Sequence, residues 1–460
     1  MTAGVGAPTI DLDGLRASVR GRVVAPGDET YDADRVVMFG GIDPHPAAIV
    51  RVADAADVAT VIAFARQSGV ELAVRSGGHS AAAHSTVDGG IVLDVRDLRA
   101  LDLDTEGRTA WIGSGLTAGE ITTALAEHGL AIGFGDTGSV GVAGITLGGG
   151  VGYLGRSQGL TIDNLLAVEL VTADGQVLTV DEASNPDLFW ALRGGGGNFG
   201  VATRFRFRLH QVPQIVGGML IQPATEDTIV ALMAAGSAAP EDLSFIANVM
   251  TCPPLPFVPE SVHGELVIFS LVCWSGPVEE ADAALAPIRA AGAPIADMLQ
   301  PQGYPGMYGP EDPDYHPLAV SRNLFMDGVD AADARLMLDR LAASDAPMRA
   351  VQLRPLGGAI ARVPNDATAY AHRDRAVMVN VAAFYTGPED RDAKTAWVDE
   401  LTDALRDGTA AYVNFIGDEG PARVRDAYPG ATYDRLAAIK RRYDPENVFR
   451  RNQNVEPLGA

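Results

Sequence analysis

Apolar and polar residues follow two periods in the first part of the chain, and each period predicts one type of element. Residues 49–52 (IVRV) form a short apolar run typical of a buried strand, and residues 71–74 form a second. Between them, apolar residues recur at helical spacing, from a capping Asp54 or Asp57 to a terminal Gly69. This order predicts a βαβ unit and therefore a parallel pair of strands.

The same signals predict further elements as far as residue 209. Residues 91–95 and 111–113 are predicted strands, and Thr117 and Glu120 have capping-box spacing at the start of a helix that Gly129 ends. The remaining elements here are a hairpin about Asp174-Gly175, a short helix from Asn185-Pro186 to Leu192, and a strictly alternating strand at 201–209.

The pattern changes near Pro213, after which strand-like and helix-like segments alternate to about residue 411. The predicted strands have polar residues at mid-strand, and alternation puts Gln352 and Arg354 on one face. Either that face is solvated, which is common in antiparallel sheets, or it covers a ligand. The strands are 243–250, 266–274, 350–354 and 377–385, and an amphipathic helix at 433–443 follows them.

Glycine is concentrated in three places, which predicts close approach of backbone to a ligand. Residues 133–159 contain 11 glycines, residues 194–200 read GGGGNFG, and Gly77-Gly78 precedes His79. Apolar residues are interspersed in the first cluster, so a flexible linker is disfavoured. Residues 150–155 match GxGxxG, but no strand precedes and no helix follows, which disfavours a classical NAD site.

Composition and charge exclude several classes of function. The net charge of −24 repels phosphate backbones, so neither nucleic acid nor an acidic membrane surface is an expected partner. No apolar run is long enough to span a membrane, and the first eleven residues lack a secretory pattern. The two cysteines cannot build a disulfide framework or a four-ligand zinc site, and no metal site is predicted. A cytoplasmic location is expected.

Several segments together resemble the berberine bridge enzyme-like flavoproteins, which belong to the vanillyl-alcohol-oxidase (PCMH-type) FAD family. Within that family the chain looks most similar to the bacterial 6-hydroxynicotine oxidase type. The segments lie in order over almost the whole chain: 75–80 (RSGGHS), 88–94 (DGGIVLD), 140–150 (VGVAGITLGGG), 156–164 (RSQGLTIDN), 189–201 (FWALRGGGGNFGV) and 443–454 (YDPENVFRRNQN).

The resemblance implies an α+β, two-domain PCMH-type FAD-binding fold. An FAD-binding domain would comprise residues 1–212 and a returning C-terminal segment, 412–460. The inserted residues 213–411 would form an antiparallel-sheet substrate domain over the flavin ring. Such a protein is expected to act on a small molecule, and a homodimer is compatible with the sequence.

The resemblance also implies FAD joined covalently to His79. Many relatives have a second tether through a cysteine at the position of Thr137, so only one tether is expected here. A small residue at Val140 is typical of members that react with dioxygen, and glycine-rich backbone suits the pyrophosphate. The expected cofactor-binding residues are Arg75, Ser76, Gly77, Gly78, His79, Ser80, Thr137, Val140, Gly141, Gly144, Gly149, Val201, Asn452 and Asn454.

The expected chemistry is hydride transfer from a small-molecule substrate (an amine, an alcohol or a secondary metabolite) to flavin N5, with O2 reduced to H2O2. Many relatives have a tyrosine base where this chain has Phe415, which has no proton to exchange. Either His84 or Tyr385 replaces it, or the substrate needs no base, as for a neutral amine, or turnover is weak. Asn414, Gln352 and Arg354 are the expected catalytic residues. The alternatives are a dehydrogenase with another acceptor and a flavin-containing ligand-binding protein without turnover.

Overall fold

The N-terminal part (residues 10–212) alternates short strands and helices in the computed structural model, which describes residues 10–459. The predicted domain limits at residues 1 and 460 therefore lie outside the described residues. The helices are α1 (Leu12–Ser18), α2 (Tyr31–Arg35), α3 (Ala55–Ser68), α4 (Ala118–Ala126), α5 (Val142–Leu147), α6 (Gly155–Gln158) and α7 (Pro186–Leu192). The strands are β1 (Arg22–Val24), β2 (Ala48–Arg51), β3 (Leu72–Arg75), β4 (Ile91–Asp94), β5 (Leu101–Asp104), β6 (Thr109–Gly113), β7 (Leu130–Ala131), β8 (Leu165–Val171), β9 (Val177–Asp181), β10 (Val201–Arg208) and β11 (His210–Gln211).

Two sheets organise the N-terminal part. The first has the order β1-β2-β4-β3, and the second has the order β5-β6-β10-β8-β9. The predicted βαβ unit exists, but its strands β2 and β3 do not pair with each other as predicted. Each pairs in parallel with β4, which lies between them, because the α3 crossover leaves room for one strand. The predicted hairpin about Asp174-Gly175 is confirmed as β8 and β9.

Helix α3 shows why the sequence signals work in this region. The Asp54 side chain accepts the N–H of Asp57 at the helix start, and Gly69 ends the helix in the left-handed conformation at φ 65°. Val61 and Ile62 are fully buried against the first sheet. The capping box of Thr117 also forms, although α4 ends at Ala126, before the predicted Gly129.

The middle part (residues 213–411) contains one large antiparallel sheet. Its strands are β12 (Ile215–Pro223), β13 (Leu243–Thr251), β14 (Leu266–Trp274), β15 (Ala296–Asp297), β16 (Gln300–Gln302), β17 (Ala319–Met326), β18 (Arg349–Pro355) and β19 (Val377–Phe384). The order is β15-β12-β14-β13-β18-β19-β17, and β16 also pairs with β12. The helices are α8 (Glu226–Ala238), α9 (Ala281–Ala290), α10 (Ala331–Ala343), α11 (Ala359–Arg362) and α12 (Arg391–Leu405), and the C-terminal segment (412–459) adds α13 (Pro421–Ala427) and α14 (Ala431–Tyr443).

The two faces of the large sheet differ in what covers them. One face is apolar and packs against α8, α9, α10 and α12, with Val351 and Val379 fully buried. The other face packs on the N-terminal part and the C-terminal segment, where Phe325 and Met378 meet Tyr412. The fold is therefore the predicted α+β class, and the domain boundaries stay predictions. Within residues 10–459, no helix has the length and apolar character needed to cross a membrane.

Candidate functional site

Strand β3 ends at Arg75, a buried cation that lies next to Gly77-Gly78. Arg75 is 1% exposed, and its Nη2 donates to Asp94 Oδ2 at 2.7 Å. Arg96 donates to the same oxygen at 2.7 Å. Burial raises the pKa of Asp94, but the two guanidinium groups hold it below its ordinary value. Arg75 Nη1 is buried and has no hydrogen-bond partner among residues 10–459, so this donor suits a polar ligand.

The loop after β3 packs backbone to backbone on the loop that begins α5. A Cβ added to Gly77 would lie 2.3 Å from the Gly141 nitrogen, and one added to Gly141 would lie 2.2 Å from the Gly77 nitrogen. Ser76 Oγ donates to the Ser114 carbonyl at 2.8 Å, which holds the same loop against the end of β6. Gly78 has φ +75°, which glycine adopts at little cost. Both predicted glycine segments therefore meet at one place.

His79 projects into an open cleft of about 890 Å³. Its Nε2 lies 3.0 Å from Ser139 Oγ, and Thr137 lines the same cleft. Burial lowers the pKa of His79, and the negative charge of Glu311 opposes that shift. A lowered pKa keeps the imidazole neutral at neutral pH, which is the state in which a histidine is a nucleophile.

The C-terminal segment closes the next side of this region. Ser80 Oγ accepts the His84 N–H at 3.2 Å, and Arg451 Nη2 donates to the Thr86 carbonyl at 2.7 Å. Asn452 Nδ2 donates to the Gly197 carbonyl at 3.2 Å. The Oδ1 atoms of Asn452 and Asn454 are buried and have no hydrogen-bond partner within residues 10–459. The structure thus brings the predicted C-terminal asparagines next to the glycine-rich residues 194–200.

The other predicted cofactor residues lie along the central glycine cluster, which is residues 133–159, and at the start of β10. Val140 is half-buried, and its carbonyl accepts the Ala118 N–H at 2.9 Å. A Cβ added to Gly144 would meet no atom within 4 Å, and Gly149 has φ +129°. Val201 is 1% exposed, and its side chain packs in the core beside β4, away from the cleft.

A row of amides crosses the polar face of the large sheet. Cross-strand pairing aligns Asn248, Gln352, Asn380 and Asn323 on neighbouring strands. Gln352 Nε2 donates to Asn248 Oδ1 at 2.9 Å, and Gln352 Oε1 accepts from Arg354 at 2.6 Å. The predicted pairing of Gln352 and Arg354 on one face is therefore seen. Arg354 is only 4% exposed, which excludes the solvated-face interpretation for this residue, and Gln352 is half-buried.

Arg354 links this sheet to the central glycine cluster. Its guanidinium forms an ion pair with Asp136 and lies over the Phe415 ring, 5.1 Å from the ring centroid. Asp136 neighbours Thr137, which is a predicted cofactor residue. No sequence signal points to Asp136, because 218 positions separate it from its partner. Asn248 and Asn380 were visible as polar residues at mid-strand, but their row depends on the strand register.

Asn414 occupies a space that a glycine leaves open. Its Nδ2 donates to the Ile145 carbonyl at 3.2 Å and to the Tyr412 hydroxyl at 2.9 Å. A Cβ added to Gly148 would lie 1.9 Å from Asn414 Oδ1. The predicted catalytic Asn414 is thus beside α5 rather than in the amide row that holds Gln352.

The predicted replacement bases do not lie in the amide row. Burial lowers the pKa of His84 to about 4, and the ring lies near Arg451. Tyr385 follows the end of β19, where its N–H donates to the Leu318 carbonyl at 3.0 Å. Phe415 packs between Arg354 and Tyr412. Burial also raises the pKa of Tyr412, whose hydroxyl accepts the Gly150 N–H at 2.9 Å, so this phenol is held in a structural role.

These residues fit FAD. The cleft exposes glycine backbone at 77–78, the Gly144 surface is open, and buried polar atoms of Arg75, Asn452 and Asn454 lack protein partners within residues 10–459. FAD offers pyrophosphate and ring acceptors together with ring and ribose donors, which complements this set. In the described range, no cluster of three or more His, Cys, Asp or Glu side chains is placed to hold a metal ion.

Comparison with known proteins gives consistent matches. Residues 46–181 match the family described as "FAD binding domain", and residues 411–456 match "Berberine and berberine like". The (R)-6-hydroxynicotine oxidase of Paenarthrobacter nicotinovorans is 32% identical over 96% of this chain and 98% of its own length. The crystal structure of 6-hydroxy-D-nicotine oxidase from Arthrobacter nicotinovorans superposes with a TM-score of 0.84 at 29% identity, covering 95% of this chain and 98% of that one. BBE-like 1 of Physcomitrella patens has a TM-score of 0.86 at 23% identity, with 98% and 99% covered, which shows the shared fold alone.

Proposed function

Because the chain belongs to the berberine bridge enzyme-like family of FAD-linked oxidoreductases, we propose that it is an oxidase that takes hydride from a small-molecule amine or alcohol and passes the electrons to dioxygen. The predicted family, fold class and enzymatic nature are confirmed, and so is FAD as the cofactor. The covalent tether, the acceptor, the substrate class, a homodimer and a cytoplasmic location go beyond that and are proposals.

The observation that carries the proposal is the meeting of the polar sheet face with the central glycine cluster. Arg354 forms an ion pair with Asp136 and donates to the Val151 carbonyl at 3.5 Å, so the amide row lies against the glycine-rich segment for which we propose cofactor binding. FAD, when bound, supplies the redox chemistry, which is hydride acceptance at N5 and reduction of dioxygen to peroxide. The chain itself supplies position and electrostatics.

The residues of the site favour a substrate that needs no strong base. Asp136 neutralises the charge of Arg354. The Arg354 guanidinium donates to Gln352 Oε1, which fixes the orientation of that amide. Phe415 has no proton to exchange, so a neutral amine, which loses hydride without prior deprotonation, suits the site better than a sugar hydroxyl.

The tether is tested on acid-precipitated protein by absorbance and by flavin fluorescence in a denaturing gel. We expect yellow colour in the pellet of the wild type and its loss in His79→Ala. Flavin in the supernatant of the wild type would leave FAD binding intact and remove the covalent bond from the proposal. A flavin-free native protein would contradict cofactor binding altogether.

The acceptor is tested by photoreducing the holoprotein and mixing it with oxygenated buffer. We expect fast reoxidation with stoichiometric peroxide, and slower reoxidation for Val140→Leu because its extra bulk narrows access to the ring. Val177→Leu, at a position 50% exposed on β9, is the matched control. Slow reoxidation by oxygen but fast reoxidation by a quinone would favour the dehydrogenase alternative.

The substrate is sought by oxygen consumption with a panel of amines and alcohols, including 6-hydroxynicotine, because a relative's name contains it. We expect turnover with neutral amines. Turnover only with sugars would contradict the argument from Phe415, and tight binding without bleaching of the flavin would favour the ligand-binding alternative.

A further inference from the structure

Two further residues of the cleft are linked to His79. Ser139 contacts the His79 ring directly, and Glu311 contacts the Ser139 backbone. Ser139 Oγ lies 3.0 Å from His79 Nε2. The backbone N–H of Ser139 donates to Glu311 Oε1 at 3.0 Å. Glu311 comes from the middle part of the chain, 172 positions away from Ser139, in a loop that lines the same cleft.

The Glu311 loop is fastened at a second place to the N-terminal part. The Gly40 N–H donates to the Pro317 carbonyl at 3.0 Å, and His316 Nδ1 lies 3.2 Å from the Met38 carbonyl. Residues 309–316 therefore connect the rim of the His79 cleft to the loop that holds Ser139. Within residues 10–459, the Ser139 N–H is the one hydrogen-bond donor to the Glu311 carboxylate.

We propose that Ser139 is a positioning residue for covalent attachment of the flavin, and that Glu311 acts through Ser139 by fixing its loop. This inference rests on the His79 tether proposed above. Ser139 engages Nε2, which turns the ring and leaves Nδ1 as the nitrogen that forms the new bond. In the tautomer that carries its proton on Nε2, the His79 ring donates to the Ser139 hydroxyl and Nδ1 carries the lone pair, and we assign this tautomer to the reacting state.

The step balances with FAD as the oxidant. His79 Nδ1 forms a bond to the carbon of the ring 8-methyl group, and one C–H bond of that methyl group breaks. The methyl proton leaves to solvent, and the electron pair of the broken bond reduces the flavin by two electrons. His79 loses its Nε2 proton, for which the Ser139 hydroxyl is the adjacent acceptor on the way to solvent. Dioxygen then reoxidises the cofactor and becomes hydrogen peroxide.

The test follows the covalent step in time. Full-length apoprotein from a riboflavin-starved host is mixed with FAD, and covalent flavin is read by fluorescence in a denaturing gel. The dissociation constant for FAD before attachment is measured separately by titration at short times. This separation matters because a structural defect would weaken FAD binding, whereas loss of ring positioning slows bond formation at unchanged affinity.

Four variants give distinct expectations. Ser139→Ala is expected to slow covalent incorporation by about tenfold, which corresponds to the loss of one positioning hydrogen bond of ~1.4 kcal/mol. Ser139→Thr keeps the hydroxyl, so its rate should be close to that of the wild type. Glu311→Ala is expected to slow it several-fold. Glu311→Gln keeps an oxygen that can accept the Ser139 N–H and is expected to stay near the wild-type rate.

The control is Glu106→Ala, which removes an exposed carboxylate of the β5–β6 loop, outside the lining of the His79 cleft, and its rate is expected to be unchanged. Incorporation at the wild-type rate in Ser139→Ala or Glu311→Ala would overturn the role of that residue. A wild type that binds FAD but never attaches it would instead refute the tether, so the two failures are distinguishable.

Discussion

The buried ion pair of Lys440 and Asp444 allows a quantitative test of how the C-terminal segment is held. Both side chains are fully buried, and their charged atoms lie 2.7 Å apart. Lys440 Nζ also donates to the carbonyls of Asn198 and Phe449, each at 2.8 Å. The lysine therefore holds the glycine-rich residues 194–200 against the C-terminal segment that carries Asn452 and Asn454.

Replacement of Lys440 by Met keeps most of the volume and removes the charge together with three hydrogen bonds. Asp444 then remains buried without its cation, although it still accepts the Val448 and Phe449 N–H groups at 2.8 and 2.9 Å. Burial lowers the pKa of Lys440, which shows that the cost of desolvating the charge offsets part of the attraction between the two ions. Breaking a buried pair in this way costs about 3–5 kcal/mol, and the Asp444 backbone contacts favour the lower end.

The measurement is hydrogen exchange of peptides from residues 444–459, with helix α9 as the internal reference. A protein of this size need not unfold in one step, so a local opening free energy is better defined than a global one. We expect a fall of about 3 kcal/mol in the opening free energy of the C-terminal peptides and none in α9. FAD retention should also fall in a His79→Ala background, because Asn452 and Asn454 lose their anchor.

A double-variant cycle with Asp444→Asn separates the pair from the individual residues. We expect the double variant to lose less than the sum of the two single variants, because removal of both charges leaves no isolated buried ion. If Lys440→Met changes the C-terminal opening free energy by less than about 1 kcal/mol, the claim that this pair holds the segment is wrong.

Three further predictions concern the glycine contact, the amide row and acid stability. Gly141→Ala places a Cβ 2.2 Å from the Gly77 backbone and should abolish FAD binding, measured by titration. Gly328→Ala, whose Cβ would meet no atom within 4 Å, should bind FAD normally, and normal flavin content in Gly141→Ala would contradict the packing argument. Arg354→Ala and Gln352→Ala should each lower kcat by roughly ten- to hundredfold through loss of orientation, and unchanged turnover in both would refute their assignment. Burial lowers the pKa of His372 to about 4 from an ordinary 6.5, so the unfolded chain binds a proton that the folded protein does not. Stability should thus be full above about pH 6.5 and fall towards about pH 4, by up to ~3 kcal/mol for this residue, and a urea midpoint in His372→Gln with the same pH slope would exclude it as the cause.

Local patterns predicted the elements whose signals lie within a few residues. The cap and stop of α3, the capping box of α4 and the β8–β9 hairpin all form as expected, because each depends on hydrogen bonds between near neighbours in the chain. The strands β12 and β17 were not predicted individually. The predicted pairing of β2 with β3 was wrong because local patterns do not show that β4, which comes later in the chain, lies between them.

Short motifs along the chain were enough to predict the family, the α+β fold class, FAD and the positions of the glycine-rich segments, because in such motifs glycine permits unusual backbone conformations and close approach. Tertiary structure decided the rest of the site. Asp136 meets Arg354 across 218 positions, Asn414 fills the space beside Gly148, and Lys440 reaches the carbonyl of Asn198 across 242 positions. No periodicity encodes such contacts, because each arises only when separately folded surfaces pack and leave a buried polar atom in need of a partner.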